Sequence, residues 1–129
     1  LHLSLRRQRQ MCIRDSVIDD GEAISYDECF AHHTDAEVII NTSPVGMFPK
    51  VDASPVDLTK FPKCEAVLDV VYNPLTTKFV AQAKELGMIG VNGLEMLVAQ
   101  AKYAVEIFLG TEIDDARIQE IYEDVKELI

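Results

Sequence analysis

Four kinds of side chain in this sequence could do chemistry: a phenol, a carboxamide, a pair of adjacent hydroxyls and two neighbouring imidazoles. The phenol is Tyr72, which follows the apolar run at residues 67–71 and precedes Asn73-Pro74. Proline cannot donate to a sheet ladder and restricts the residue before it, so a strand carrying that run ends there. Ligands of open parallel sheets gather at the carboxyl ends of the strands. A phenol at such an end can touch a ligand, or it can be a core-edge tyrosine bonded to backbone. Thr42 and Ser43 close a second β-branched run, residues 37–42, and could cap a turn or face a cofactor. Gln100 falls inside the apolar arc of a helix read over residues 94–109. A buried amide without partners costs about 1–3 kcal/mol, so it bonds neighbouring backbone or the arc borders a polar ligand site. His32 and His33 are adjacent, project in different directions on a helix and have no third ligand at a useful spacing. They read as surface histidines, and no metal site is expected.

The elements that must position these groups follow from periodicity and punctuation. Ser25 can cap a short helix running towards His33. The 37–42 strand breaks into a loop set by Pro44, Gly46 and Pro49, and residues 50–64 form a connection with one helical turn. After the 67–71 strand, Thr76 or Thr77 starts a helix with Phe79, Val80, Ala83 and Leu86 on one face and Gly87 at its end. Residues 88–91 make a short strand. Strand, helix, strand in this order implies a crossover and a parallel sheet.

Asn92 and Gly93 open the 94–109 helix, and Gly110 closes it. Glu95, Lys102 and Glu106 form its polar stripe, opposite a broad apolar arc that includes Leu94, Leu97, Val98, Ala101, Val105 and Phe108. Asp114 or Asp115 caps a last helix, a packing element with Ile118, Ile121, Tyr122, Val125, Leu128 and Ile129 on its apolar side.

Composition narrows the function classes. At 129 residues, 48% apolar and 26% charged, the chain is an ordinary soluble globular domain in size and texture. No apolar run reaches the ~18 residues of a membrane helix, and residues 1–16 lack the apolar core of a secretory leader. Three dispersed cysteines, Cys12, Cys29 and Cys64, fit neither a disulfide framework nor a zinc site, so a reducing cytoplasm is expected. Residues 1–16 carry Arg6, Arg7, Arg9 and Arg14 against Asp15, so the remainder bears more than the whole net charge of −10. An acidic body argues against nucleic acid as a partner. The basic head has neither aromatic interleaving nor helical periodicity and reads as a foreign remnant or a flexible natural tail.

Three blocks together resemble the C-terminal part of the shikimate dehydrogenases: Ile40-Asn41-Thr42-Ser43-Pro44-Val45-Gly46-Met47, Asp69-Val70-Val71-Tyr72-Asn73-Pro74, and Asn92-Gly93-Leu94-Glu95-Met96-Leu97-Val98-Ala99-Gln100-Ala101. The likeness covers residues 24–110 well, the last helix loosely and residues 1–16 not at all. It implies an incomplete Rossmann-like, doubly wound parallel α/β sheet: residues 17–91 as the second half of an NADP-binding domain, and residues 92–129 as helices packing on a substrate domain. It implies NADPH-dependent reduction of 3-dehydroshikimate to shikimate, with Tyr72 and Gln100 bonding the substrate. Val70 and Gly93 would lie against the nicotinamide, and Thr42 and Ser43 near the dinucleotide. Glu95 departs from the small residue that many members carry there.

Equally informative is what the chain lacks against that pattern. The family's lysine and aspartate acid/base pair, its glycine-rich pyrophosphate turn and its 2′-phosphate segment have no counterpart, so no catalytic residue is assigned. The expectation is a fragment, inactive alone and prone to self-association through exposed apolar helix faces. The alternatives are a quinate/shikimate dehydrogenase using NAD and a non-catalytic, partner-binding α/β module.

Overall fold

The computed structural model describes residues 24–128, which divide into two units between Thr34 and Asp35. The expectations for residues 1–16, Cys12 and Ile129 lie outside the described residues.

In the first unit, helix α1 spans Tyr26–His32. Ser25 caps it: its hydroxyl accepts from the Glu28 amide at 3.2 Å, while the Glu28 carboxylate accepts from the Ser25 amide at 2.8 Å. This reciprocal capping box satisfies two otherwise orphaned amides. Donation from the Ser25 amide, and then from the Ser25 hydroxyl at 2.8 Å, holds the Glu28 carboxyl below its ordinary pKa. His32 and His33 are exposed at the far end.

The second unit is built on three parallel strands, β1 (Val38–Asn41), β2 (Ala66–Asp69) and β3 (Ile89–Val91), lying side by side in chain order. Ile40 pairs with Leu68, and Leu68 with Val91. A 3-10 turn at Leu58–Lys60 interrupts the first connection, and helix α2 (Lys78–Glu85) forms the second. Thr77 is the α2 N-cap, accepting from the Val80 amide at 3.3 Å. Gly87, at φ +78°, takes the left-handed conformation that ends such a helix cheaply only for glycine. Helix α2 packs on β2 and β3. Phe79, Val80 and Ala83 from the helix, Val67 from the sheet, and Leu58 and Phe61 from the connection are all essentially inaccessible. At ~1.5–3 kcal/mol for each large apolar side chain fully removed from water, this cluster is the main source of the unit's cohesion.

The β2 ladder stops at Asp69, two residues short of the 67–71 strand read from the sequence, because the Asp69 carboxylate captures the Val71 amide at 3.1 Å. Only one face of that run is buried. Val67 is covered, whereas Ile40, Leu68 and Val91 form an exposed row on the opposite face.

Helices α3 (Leu94–Leu109) and α4 (Ala116–Lys126) pack on each other. The start of the apolar arc of α3 is covered at Leu94 and Val98, while its far end is bare, with Ile107 and Phe108 85% and 87% exposed, as the expectation of exposed apolar helix faces has it. The departure from the sequence reading lies in the polar stripe. Glu95 faces solvent, but Lys102 is buried, bonding Glu106 one turn along and Asp115 at the start of α4.

Candidate functional site

The carboxyl ends of β1 and β2 lie side by side, because Asn41 is in register with Asp69. From each end a loop turns out of the sheet. The Val70 amide donates to the Asn41 carbonyl at 3.0 Å, and the Phe48 amide to the Asn73 carbonyl at 3.0 Å, so the loops are stitched together near both ends. Between them opens a cleft of about 430 Å³, walled by Thr42, Ser43, Pro44, Met47, Phe48 and residues 70–73. That volume lies in the ordinary range of small-molecule sites.

A second cleft, of about 370 Å³, adjoins it and shares Val70. Its walls come from the exposed sheet row (Ile40, Leu68, Val91), from Asn92 and Gly93, and from Glu95, Met96 and Ala99 on the first turns of α3. Gly93 sets its geometry. Any Cβ there would lie 2.1 Å from the Val70 carbonyl oxygen, so only glycine lets the start of α3 press against the end of β2. The Gly93 amide donates to the Val71 carbonyl at 3.2 Å, and the Asn92 side chain to the Leu75 carbonyl at 3.0 Å. Among the described residues, no lysine or arginine stands in the walls of either cleft.

Of the residues singled out from the sequence, Thr42, Ser43, Val70 and Tyr72 meet in the first cleft, and Val70 and Gly93 in the second. Tyr72 is 40% exposed, and its hydroxyl has no hydrogen-bond partner among the described residues. This removes the reading of a core-edge phenol bonded to backbone. Ser43 bonds back to Asn41 through both its amide (3.1 Å) and its hydroxyl (2.7 Å), so it holds a turn as well as lining the cleft. Gln100 belongs to neither wall. It is exposed on α3, which corrects the reading of an amide buried in an apolar arc: the described residues cover that arc at Leu94 and Val98 but not at Gln100. Among the described residues no group of three His, Cys, Asp or Glu side chains could hold a metal ion.

Sequence reasoning passed over the polar network beneath the clefts. Asn41, Asp69 and Thr77 are 4%, 2% and 0% exposed, the most deeply buried polar side chains described. The Asp69 carboxylate accepts from the Asn41 side-chain amide at 2.9 Å, the Val71 amide at 3.1 Å and the Thr77 hydroxyl at 2.6 Å. An aspartate inside the otherwise apolar run 67–71 was the available signal, since a charge in a buried strand must be bonded.

No protein-family model matches the chain. Among curated proteins, the shikimate dehydrogenase (NADP(+)) of Clostridium perfringens is 42% identical over 88 residues, which make up 68% of this chain and 32% of that protein. Among solved structures, a chorismate mutase/shikimate 5-dehydrogenase fusion protein from Clostridium acetobutylicum superposes with a TM-score of 0.81 at 40% identity, over 90% of this chain and 42% of the other. Shikimate 5-dehydrogenase from Thermus thermophilus, solved in complex with NADP(H) and shikimate, matches with a TM-score of 0.63 at 30% identity, over 74% of this chain and 36% of that one. The chain therefore spans about a third of the length of the curated relatives it matches.

Proposed function

Since this chain is homologous to the shikimate dehydrogenases over about a third of their length, we propose that it forms one wall of the active site of an enzyme that reduces 3-dehydroshikimate to shikimate with NADPH. The observation that carries this reading is the meeting of Thr42, Ser43, Val70 and Tyr72 in one cleft at the ends of neighbouring parallel strands. Residues 17–91 then belong to the NADP-binding domain, and residues 92–129 are the helices that return to a substrate domain.

The absence of cations from both clefts suits the nicotinamide end of the cofactor rather than its phosphates. Bound NADPH supplies the hydride. The Gly93 and Val70 backbones, pressed together, offer it a flat wall without side-chain bulk. Thr42 and Ser43 border the dinucleotide. Tyr72, with a free hydroxyl at the mouth of the cleft, hydrogen-bonds the substrate, and Gln100 donates from α3 on the same account. Protonation of the carbonyl oxygen falls to an acid/base pair outside these residues. The proposed setting is the cytoplasm, where the free thiols of Cys29 and Cys64 stay reduced. The bare apolar end of α3, with Ile107, Phe108 and Leu109 64–87% exposed, makes the isolated chain self-associate.

A chimera tests this reading: these residues replace the homologous stretch of the Clostridium perfringens enzyme, and NADPH oxidation is followed with 3-dehydroshikimate or 3-dehydroquinate. Turnover of 3-dehydroshikimate with NADPH is the expected result. A folded chimera that turns over neither compound would overturn the proposal, and preference for 3-dehydroquinate would replace it with a quinate dehydrogenase.

A further inference from the structure

We propose that Asp69 is a positioning residue that fixes the Thr42–Ser43 loop and the Val70–Tyr72 segment as one rigid unit, so that the cleft keeps its shape before any ligand arrives. As a statement about catalysis, this rests on the reading of the cleft just given.

Asp69 is not among the walls of the first cleft, although it contributes to the floor of the second. No salt bridge of the described residues includes it. A buried carboxylate without a cation depends wholly on its hydrogen bonds, and those bonds are divided between the two loops. Oδ1 accepts from the Val71 amide, the residue before Tyr72, and from Nδ2 of Asn41. Asn41 relays the constraint: its Nδ2 also donates to the Val45 carbonyl at 3.1 Å, and its Oδ1 accepts from the amide and hydroxyl of Ser43. Oδ2 accepts from Thr77, which caps α2 and so anchors the carboxylate to the helix beneath the sheet. Gly46 completes the stack, since a Cβ there would sit 3.6 Å from the Thr77 Cβ and 3.1 Å from the Ala53 carbonyl.

Charge-assisted bonds are short and directional, and here one carboxyl group sets two loops that are otherwise distant in sequence. Asp69→Asn keeps the shape but removes the charge from all three bonds and turns the acceptor facing Thr77 into a donor, so the Thr77 hydroxyl must reverse its bond.

The test is reciprocal. Amide hydrogen exchange is measured in the 129-residue chain and in the chimera for Asp69→Asn and for Asn41→Ala. Asp69→Asn is read at Ser43 and Asn41→Ala at Val71, each reporter lying on the loop that the substitution does not touch directly. The Met88 amide, bonded to the Ala83 carbonyl at 2.8 Å at the opposite end of α2, is the control. Exchange at the remote reporter should rise about tenfold with Met88 unchanged, the pattern of a local rather than a global opening. In the chimera, kcat should fall by about tenfold or more, since small misplacements of reacting groups are costly. Exchange confined to the substituted loop, or rising equally at Met88, would overturn the proposal. If Asp69→Asn does not fold, Asn41→Ala alone decides. An inactive unsubstituted chimera would sink the functional reading while leaving the exchange result to decide the coupling.

Discussion

The strand-end region and the C-terminal helix pair solve opposite problems with the same materials. At the strand ends, a carboxylate, an amide and a hydroxyl are buried and fully bonded above a sealed apolar layer of Val67, Phe79 and Val80. In the helix pair, the buried polar group is Lys102, held by Glu106 and Asp115 close to solvent, and apart from Leu94 and Val98 at its start most large apolar side chains are partly or fully exposed. In the first region the buried polar side chains all have partners, and the apolar layer beneath them is covered. The second has spent its charges joining α3 to α4 and presents its apolar side outwards. Cohesion and specificity are therefore concentrated around the cleft floor, while the helices supply surface.

The largest expected effect concerns activity. The 129-residue chain alone should fall short of the intact Clostridium perfringens relative by at least the ~10²–10⁴ that general acid–base assistance supplies. Turnover of 3-dehydroshikimate within about tenfold of that enzyme would erase the distinction between a complete cleft floor and an incomplete site.

Stability should divide along the same line. Phe79→Ala, at a fully buried position, is expected to cost about 3–5 kcal/mol in urea unfolding. Phe108→Ala, at a position 87% exposed, should stay within about 0.5 kcal/mol and reduce self-association in sedimentation. Similar losses from both substitutions would mean that the α3 face is covered after all.

Smaller still is the contribution of single contacts. In the chimera, Tyr72→Phe and Gln100→Leu should each weaken substrate binding by about 1 kcal/mol, the worth of one neutral hydrogen bond. A loss at Tyr72 without one at Gln100 would sharpen the contrast, since only Tyr72 lines the cleft. Unchanged kinetics in both would return the pair to a purely structural role.

The slightest effect is that of pH on the helix pair. The Ile113 amide, then Lys102, holds the Glu106 carboxyl below its ordinary pKa; Asp115 above all raises that of Lys102. A lowered carboxyl stabilises the fold above its unfolded pKa and is lost as pH falls through the folded one. A raised amine stabilises below its unfolded pKa and is lost as pH rises through the folded one. The α3–α4 junction should therefore hold across neutral pH and loosen at both extremes. Salt should weaken it, because Asp115 is exposed. Proton and hydrogen-exchange NMR at Ile113 reads this directly, and an Ile113 amide insensitive to acid would remove Glu106 from the junction.

Much of the fold was legible because it is written in local signals. Ser25 and Thr77 are caps, Gly87 and Gly110 end helices, the β-branched runs at 37–42 and 67–71 mark two strands, and the parallel pairing of the second strand with the third followed from the helix between them. Each depends on a few adjacent residues and on steric rules that act over one turn or one pleat. The placing of Thr42, Ser43, Val70 and Tyr72 at strand ends was legible for the same reason. What periodicity could not decide was where single polar side chains would stand, because that depends on chain far away. The turn after Gly110 brings Asp115 over Lys102 and buries a lysine that sequence assigned to water, while Gln100 stands in the open. Nor could it show that Asn41, Asp69 and Thr77 form one network. A buried charge announces in the sequence only that it needs partners; the register of two strands and the start of a helix determine which partners it finds.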